Sequence, residues 1–467
     1  MSPYTSLCAN VLFPLHERLK GHRTAGAMRE FMRSQWLEPQ ALAALQLQRL
    51  RDLLEHSRDH VPYYRDLFER VGLRPEALAS AAELAKLPLL TKHIIRAEFG
   101  RLTADDASGF RVFSTTGSTG DPLRFGLGKL RVSYDVAAKW RATKWWGVDI
   151  GDPEIVAWSS PIELSTQDRV RRVRDKIFRS KLLATISLSP ERLDALIDEI
   201  RRFEPRMLYG YPSSIALIAQ RARARGIRLD DLGVRVVFTT AERLYPHQRS
   251  VISEAFGCPV ADGYGGRDSG FIASECPEGQ LHVAADYLVV EVVDDGGNPL
   301  PPGEAGEVVV THLFSHDFPL IRYRTGDVAV LDDQRCPCGR GLPLMREVKG
   351  RTNDFLIAAD GAKVHGVAFA MVLRDMPGMQ QFKIVQESLE RTQLQLVVDP
   401  EFRVADARPK LEATFRHFLG ADLRLEIEIV DAIVPERSGK YRYVVTRVPE
   451  SAAAPPAGAD TAARSGA

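Results

Sequence analysis

Residues 205–240 read PRMLYGYPSSIALIAQRARARGIRLDDLGVRVVFTT. An apolar run, MLYGY, leads into a segment with helical spacing, PSSIALIAQRARARG, and then a second apolar run, VRVVFTT. The same order continues with YPHQRSVISEAFG (245–257) and CPVADGYGG (258–266), so strands and helices alternate as in βαβ units around a parallel sheet. Upstream, apolar residues recur at helical spacing from about Glu38 to Arg96, and Pro88 closes that helical segment. Downstream, residues 281–314 are β-rich around the turn DDGGNPLPPGE, which predicts a small antiparallel sheet or barrel joined to the α/β body.

The composition bounds what such a fold can do. A chain of 467 residues exceeds one ordinary core, so several domains are expected. Lys and Arg total 62 against 61 Asp and Glu, which removes the electrostatic case for nucleic acid or an anionic membrane as the main partner. No apolar run approaches membrane-spanning length and the N-terminus has no basic, cleavable leader pattern, so the expected location is cytoplasmic. After VKGRTND the composition resets into strand and helix patterns. The expected division is 1–350 as an N-terminal domain, 351–448 as a small α+β domain, and 449–467 as a disordered tail of Ala, Pro, Gly and Ser.

Two clusters carry chemistry. The loop STTGSTGDP, residues 114–122, joins FRVF to LRFGL as a strand-loop-strand hairpin. Ser114, Thr115, Thr116, Ser118 and Thr119 offer hydroxyls, and Gly117 and Gly120 let backbone N–H groups turn inward, a nest for phosphate oxygens or an ordinary polar hairpin. The loop holds no lysine, so a cation must come from elsewhere. The second cluster is Cys276 and His282 in CPEGQLH with Cys336 and Cys338 in CPCGRG. Three thiolates and an imidazole make a closed tetrahedral set for structural Zn²⁺; the alternative is buried thiols with His282 in the core or an acyl pocket.

YGYPSS (209–214), TTAERL (239–244), DGYGGRDSG (262–270), YRTGD (323–327), GRTND (350–354) and PERSGKYR (435–442) follow the loop in order. Taken as an ordered set, they resemble the adenylate-forming superfamily of acyl-CoA synthetases, within it the phenylacetate–CoA ligase and capsular-polysaccharide (CapK-like) group, over nearly the whole chain. The resemblance implies an α/β fold. A large N-terminal adenylation domain, with parallel α/β sheets and a β-barrel-like part, is joined to a small mobile α+β domain. It implies activation of a carboxylic acid by ATP with release of pyrophosphate, then transfer of the acyl group to coenzyme A. Alternatives are transfer to an amine, or a homologue that has lost catalysis.

Carried over residue by residue, the resemblance gives the hydroxyl loop the β- and γ-phosphates, although position 123 is Leu where many members have Lys. Ala241 and Glu242 line the adenine site, Tyr264 covers the adenine beside Gly265, and Asp268 holds Mg²⁺ where Glu is commoner. Asp327 accepts from the ribose hydroxyls, and Arg351 also contacts the ribose. Asn353 or Asp354 marks the hinge. Lys440 is the missing cation, brought by the small domain. Arg267 either faces a phosphate or pairs with Asp268. Aromatics in KWWG (144–147), VAWSS (156–160) and YGYPSS either wall a pocket for an aromatic or bulky acid or belong to the core.

Overall fold

The computed structural model describes residues 2–114, 123–158, 169–185, 187–242, 244, 246–294, 296–348, 355–374, 376–431, 433 and 444–448. Among these, the chain opens with helices, including Thr24–Ser34, Pro39–His60 and Pro62–Val71. Pro62 divides the last two. Proline disfavours helical backbone at the residue before it, so Val61 takes φ −115° and ψ 105°, and Pro62 starts the next helix without a missing hydrogen bond. Gly72 ends that helix in the left-handed region. The apolar faces of these helices, with Leu50, Leu54, Tyr64 and Phe68, pack on Phe125, Phe318 and Tyr323 from later in the chain.

Strand order in the large sheet runs Leu288–Val293, Ala305–His312, Tyr323–Asp332, Leu344–Val348, Leu281–Val283, Gly270–Glu275, Val260–Gly266, Val236–Thr240, Met207–Gly210, Glu154–Trp158, Ser180–Ala184. The last five are parallel. Their buried runs are covered by helices Pro190–Phe203, Pro212–Ala224 and Pro246–Phe256, as parallel strands require. The turn after Val260–Gly266 reverses direction, and every further pairing is antiparallel. The β-rich stretch expected as a small sheet or barrel is therefore an antiparallel wing hydrogen-bonded continuously to the parallel strands.

One buried ion pair fixes that wing to the helices. Arg322, with φ +54°, meets Glu291 through Nε at 3.1 Å and Nη2 at 2.9 Å, and donates to the carbonyls of Leu87 at 2.6 Å and Gly297 at 2.7 Å. Residues from Leu356 to Val444 share a core around Phe369, Leu411 and Phe415. Its sheet order is Arg424–Ile429, Arg391–Val398, Met379–Gln386, Val444–Thr446. The hairpin Phe355–Ile357 and Lys363–His365 joins this unit to Ser187–Leu188. Buried Gln386 binds it to the four-stranded sheet, exchanging hydrogen bonds with the Ile357 backbone at 2.6 and 2.8 Å. Residues 449–467 lie outside the described residues.

Candidate active site and metal centre

In an open α/β sheet, the carboxyl ends of the parallel strands form the natural ligand crevice. Val236–Thr240 ends there, and Ala241 follows in the left-handed region at φ +70°. That turn brings Glu242 back, so its Oε2 accepts from the Ser213 N–H at 3.3 Å. TTAERL and YGYPSS thus meet. Beside them, Trp158, Tyr211, Tyr209 and Phe238 form a stack, with Trp158 4.6 Å from Tyr211 and Tyr209 5.8 Å from Phe238 between centroids. The other two expected tryptophans are placed differently. Trp146 donates to the Glu275 carbonyl at 2.9 Å and Trp145 covers His282, so neither belongs to that stack.

Tyr264 comes from the next strand, and its hydroxyl donates to Asp327 Oδ2 at 3.1 Å. Gly265 is demanded by close approach, since a Cβ there would lie 2.3 Å from the Gly270 carbonyl oxygen. Asp268 Oδ2 accepts from the Tyr323 hydroxyl at 2.6 Å. Four residues from DGYGGRDSG and YRTGD therefore form two side-chain pairs on one shelf, between Val260–Gly266 with its following turn and the start of Tyr323–Asp332. The fully buried Arg131 holds the shelf from below by donating to the carbonyls of Arg267, at 3.2 Å, and Asp268. Asp135 lies 3.5 Å from Arg131 Nε and 3.1 Å from His312 Nε2. Despite burial, Asp135 is held below the usual carboxylate range by His312 and Arg131. Arg131, Asp135 and His312 were not found in the sequence; the four-residue spacing Arg131 to Asp135 was the available signal.

The hydroxyl loop has the stem that the sequence predicts. Arg111–Ser114 pairs antiparallel with Arg124–Leu127, Ser114 opposite Arg124. Thr115, Thr116, Gly117, Ser118, Thr119 and Gly120 lie outside the described residues, as do Arg351, Asn353, Asp354 and Lys440. Arg267 reaches the stem, its guanidinium 5.7 Å over the Phe113 ring, and burial lowers its pKa. Lys440 falls four positions before the edge strand Val444–Thr446 of the small sheet.

The four residues of the cysteine constellation lie together. Cys276 Sγ is 3.6 Å from Cys336 Sγ, Cys338 Sγ is 3.3 Å from His282 Nε2, and all four ligand atoms lie within 4.8 Å of one another. A tetrahedral ion with bonds of about 2.3 Å to sulfur places sulfurs about 3.7 Å apart, so these side chains fit zinc. Burial pushes the Cys336 thiol up to about 12 and His282 down to about 4. A neutral imidazole suits ligation, and a bound ion would displace the thiol protons. His282 Nδ1 lies 3.3 Å from the Leu342 carbonyl, which orients the ring with Nε2 toward the thiols. Trp145 covers the ring at 5.5 Å, and Arg340 lies 4.5 Å over Trp145.

Residues 182–313 match the AMP-binding enzyme family and residues 356–447 the CapK C-terminal domain. The chain is 29% identical over 381 residues to a phenylacetate-coenzyme A ligase of Thermus thermophilus, covering 79% of this chain and 84% of that protein. It is 23% identical over 417 residues to Protein CapK of Staphylococcus aureus, covering 87% and 90%. A 2-hydroxyisobutyryl-CoA ligase structure, in complex with 2-HIB-AMP and CoA, shares the fold at TM-score 0.62 and 22% identity, covering 89% of this chain and 92% of that one. The chain thus carries an AMP-binding enzyme segment followed by a CapK C-terminal domain, and it is similar over most of its length to phenylacetate-coenzyme A ligases and to CapK. Among the described residues no helix is long and apolar enough to cross a membrane.

Proposed function

We propose that the chain is an AMP-forming acid–CoA ligase that activates an aromatic or otherwise bulky carboxylic acid with ATP and passes the acyl group to coenzyme A. The observation that carries this reading is the shelf: Tyr264 on Asp327 and Tyr323 on Asp268, where the carboxyl end of the parallel strand Val260–Gly266 meets the start of the antiparallel strand Tyr323–Asp332. A tyrosine face suits adenine, and the Asp327 carboxylate accepts from both ribose hydroxyls. Ala241, Glu242 and Gly265 shape the wall around them. Asp268 is the residue to hold Mg²⁺, whose charge offsets that of the phosphates. The Trp158, Tyr209, Tyr211 and Phe238 stack offers flat apolar faces to the acid.

The loop 114–120 holds the outer phosphates, with Arg267 as a resident cation against its stem. Residues 351–448 act as the mobile unit, Arg351 meeting the ribose and Lys440 reaching the α-phosphate during the first step. The carboxylate oxygen attacks the α-phosphorus, pyrophosphate leaves, and the thiol sulfur of CoA then displaces AMP from the acyl carbon. Cys276, His282, Cys336 and Cys338 hold a structural zinc away from this chemistry. The work belongs in the cytoplasm, where ATP and CoA are supplied.

The deciding experiment supplies ATP, Mg²⁺ and a panel of carboxylic acids, and reads pyrophosphate release followed by product mass with CoA or with amines. Pyrophosphate release with aromatic acids and a CoA thioester as product is expected. An amide as the sole product replaces the acceptor, and absence of pyrophosphate release across the panel removes the activity.

A further inference from the structure

A second group of metal-type ligands stands apart from both centres. His56 and His60 are one helical turn apart at the end of Pro39–His60, so both side chains leave the same face. Asp106 meets them from the segment that runs into the hairpin stem Arg111–Ser114. His56 Nε2 is 3.8 Å from Asp106 Oδ1 and His60 Nδ1 is 3.8 Å from Asp106 Oδ2. One ligand atom from each residue lies within 4.8 Å of the other two. These separations are too long for charge-assisted hydrogen bonds, which close to about 2.7–2.9 Å. An ion with bonds of about 2.0–2.2 Å to nitrogen and oxygen holds its ligands about 3.0–3.5 Å apart, which a small side-chain movement reaches.

We propose that His56, His60 and Asp106 form a second metal site, for a borderline first-row divalent ion such as zinc, which ties Pro39–His60 to the segment feeding the hydroxyl loop. Two imidazoles exclude Mg²⁺ and Ca²⁺, which take oxygen donors, and the absence of sulfur donors disfavours Cu(I). The surroundings already orient the ligands. His316 stacks on His56 at 4.7 Å and 23° and so fixes the ring plane, while its carbonyl, 3.2 Å from His56 Nε2, competes for the ligand atom. Asp105 donates its N–H to the His60 carbonyl at 2.7 Å, fixing the neighbouring Asp106 backbone. Metal binding replaces the contact between His56 Nε2 and the His316 carbonyl with a bond to the ion. Three protein ligands leave a position for water, and with Asp106 half-exposed the ion exchanges with the medium. The Cys/His centre, with four ligands, is closed by contrast.

The test is zinc stoichiometry of the full chain after equilibrium dialysis against micromolar free zinc. Wild type is expected to bind one equivalent more than His60→Ala or Asp106→Asn, each of which weakens that equivalent at least tenfold; Cys336→Ser should retain it. Zinc should also slow amide exchange in residues 104–114 of wild type and of neither variant. Equal stoichiometry in wild type and both variants overturns the site. So does zinc-dependent protection that survives in His60→Ala. Unchanged melting curves of the metal-free variants serve to verify their folding, since the His60 and Asp106 side chains are each about half-exposed.

Discussion

The candidate active site and the cysteine centre stand at opposite ends of the same strands. Asp268 precedes Gly270–Glu275 and Cys276 follows it; Tyr323 and Asp327 begin Tyr323–Asp332 and Cys336 lies beyond its end. One end is closed, with four ligand atoms converging on a point, an oriented imidazole, and Trp145 and Arg340 as cover. The other is open, with carboxylates held by tyrosine hydroxyls and a buried arginine beneath. The difference separates two uses of polar groups. On the proposed function, saturated ligands would fix strand ends, while carboxylates with remaining acceptor capacity would be left for substrate and ion. Such an anchor at the far ends would keep the near ends in register during turnover.

The largest expected effect breaks the open end alone. In the first step negative charge gathers around the α-phosphate, and a positioned ammonium stabilises it more than the ground state. Lys440→Ala should lower acyl-adenylate formation at least a hundredfold, about 3 kcal/mol, while largely sparing transfer from supplied acyl-adenylate to CoA. Separate assays of the two half-reactions decide it. Equal loss in both contradicts a cation that leaves between steps.

Breaking the closed end should act on stability instead. Cys336→Ser removes one of the four proposed zinc ligands, so bound zinc should fall from about one per chain and the melting temperature should drop on the order of 5 °C. Metal analysis and thermal melts read this directly. Acyl-adenylate formation by the folded fraction should stay within about twofold, because no group that touches substrate is lost. A fully folded, metal-free wild type would make the centre a set of buried thiols.

Local spacing explains what could be read in the sequence. The strand-helix order of 205–266, the hairpin around the hydroxyl loop and the separate motifs that hold Ala241 and Glu242, Tyr264, and Asp327 each sit in short signals. Cys276 and His282, like Cys336 and Cys338, are close in sequence, so only one long-range meeting had to be inferred. The supports were not legible in that way. Arg131 meets Asp268 and Asp135 meets His312 across more than a hundred residues, and nothing in KLRVSYDVAAKW says which carbonyls a buried guanidinium will find. Trp145 and Trp146 are adjacent, yet the roughly 100° turn between successive helical positions sends one to His282 and the other to the Glu275 carbonyl. The continuous sheet was hidden because one reversal, at residues 266–270, turns a parallel neighbour into an antiparallel one without changing strand composition.

The smallest expected effect sharpens what the open end requires of its backbone. Ala241 holds φ +70°, a conformation that costs a non-glycine residue about 1–2 kcal/mol, and it does so where Glu242 must turn to Ser213. Glycine removes that strain in the folded state but adds freedom to the unfolded chain, worth about 0.4–1 kcal/mol. The terms nearly offset, so Ala241→Gly should change unfolding free energy by under about 1 kcal/mol, measured by denaturant titration. The turn would then be held less tightly, so the KM for ATP should rise modestly while kcat stays near wild type, the pattern of weakened uniform binding. Ala241→Val is the contrast, because a β-branched side chain is poorly tolerated at positive φ. If valine is as well tolerated as glycine, the left-handed turn does not set this wall of the site.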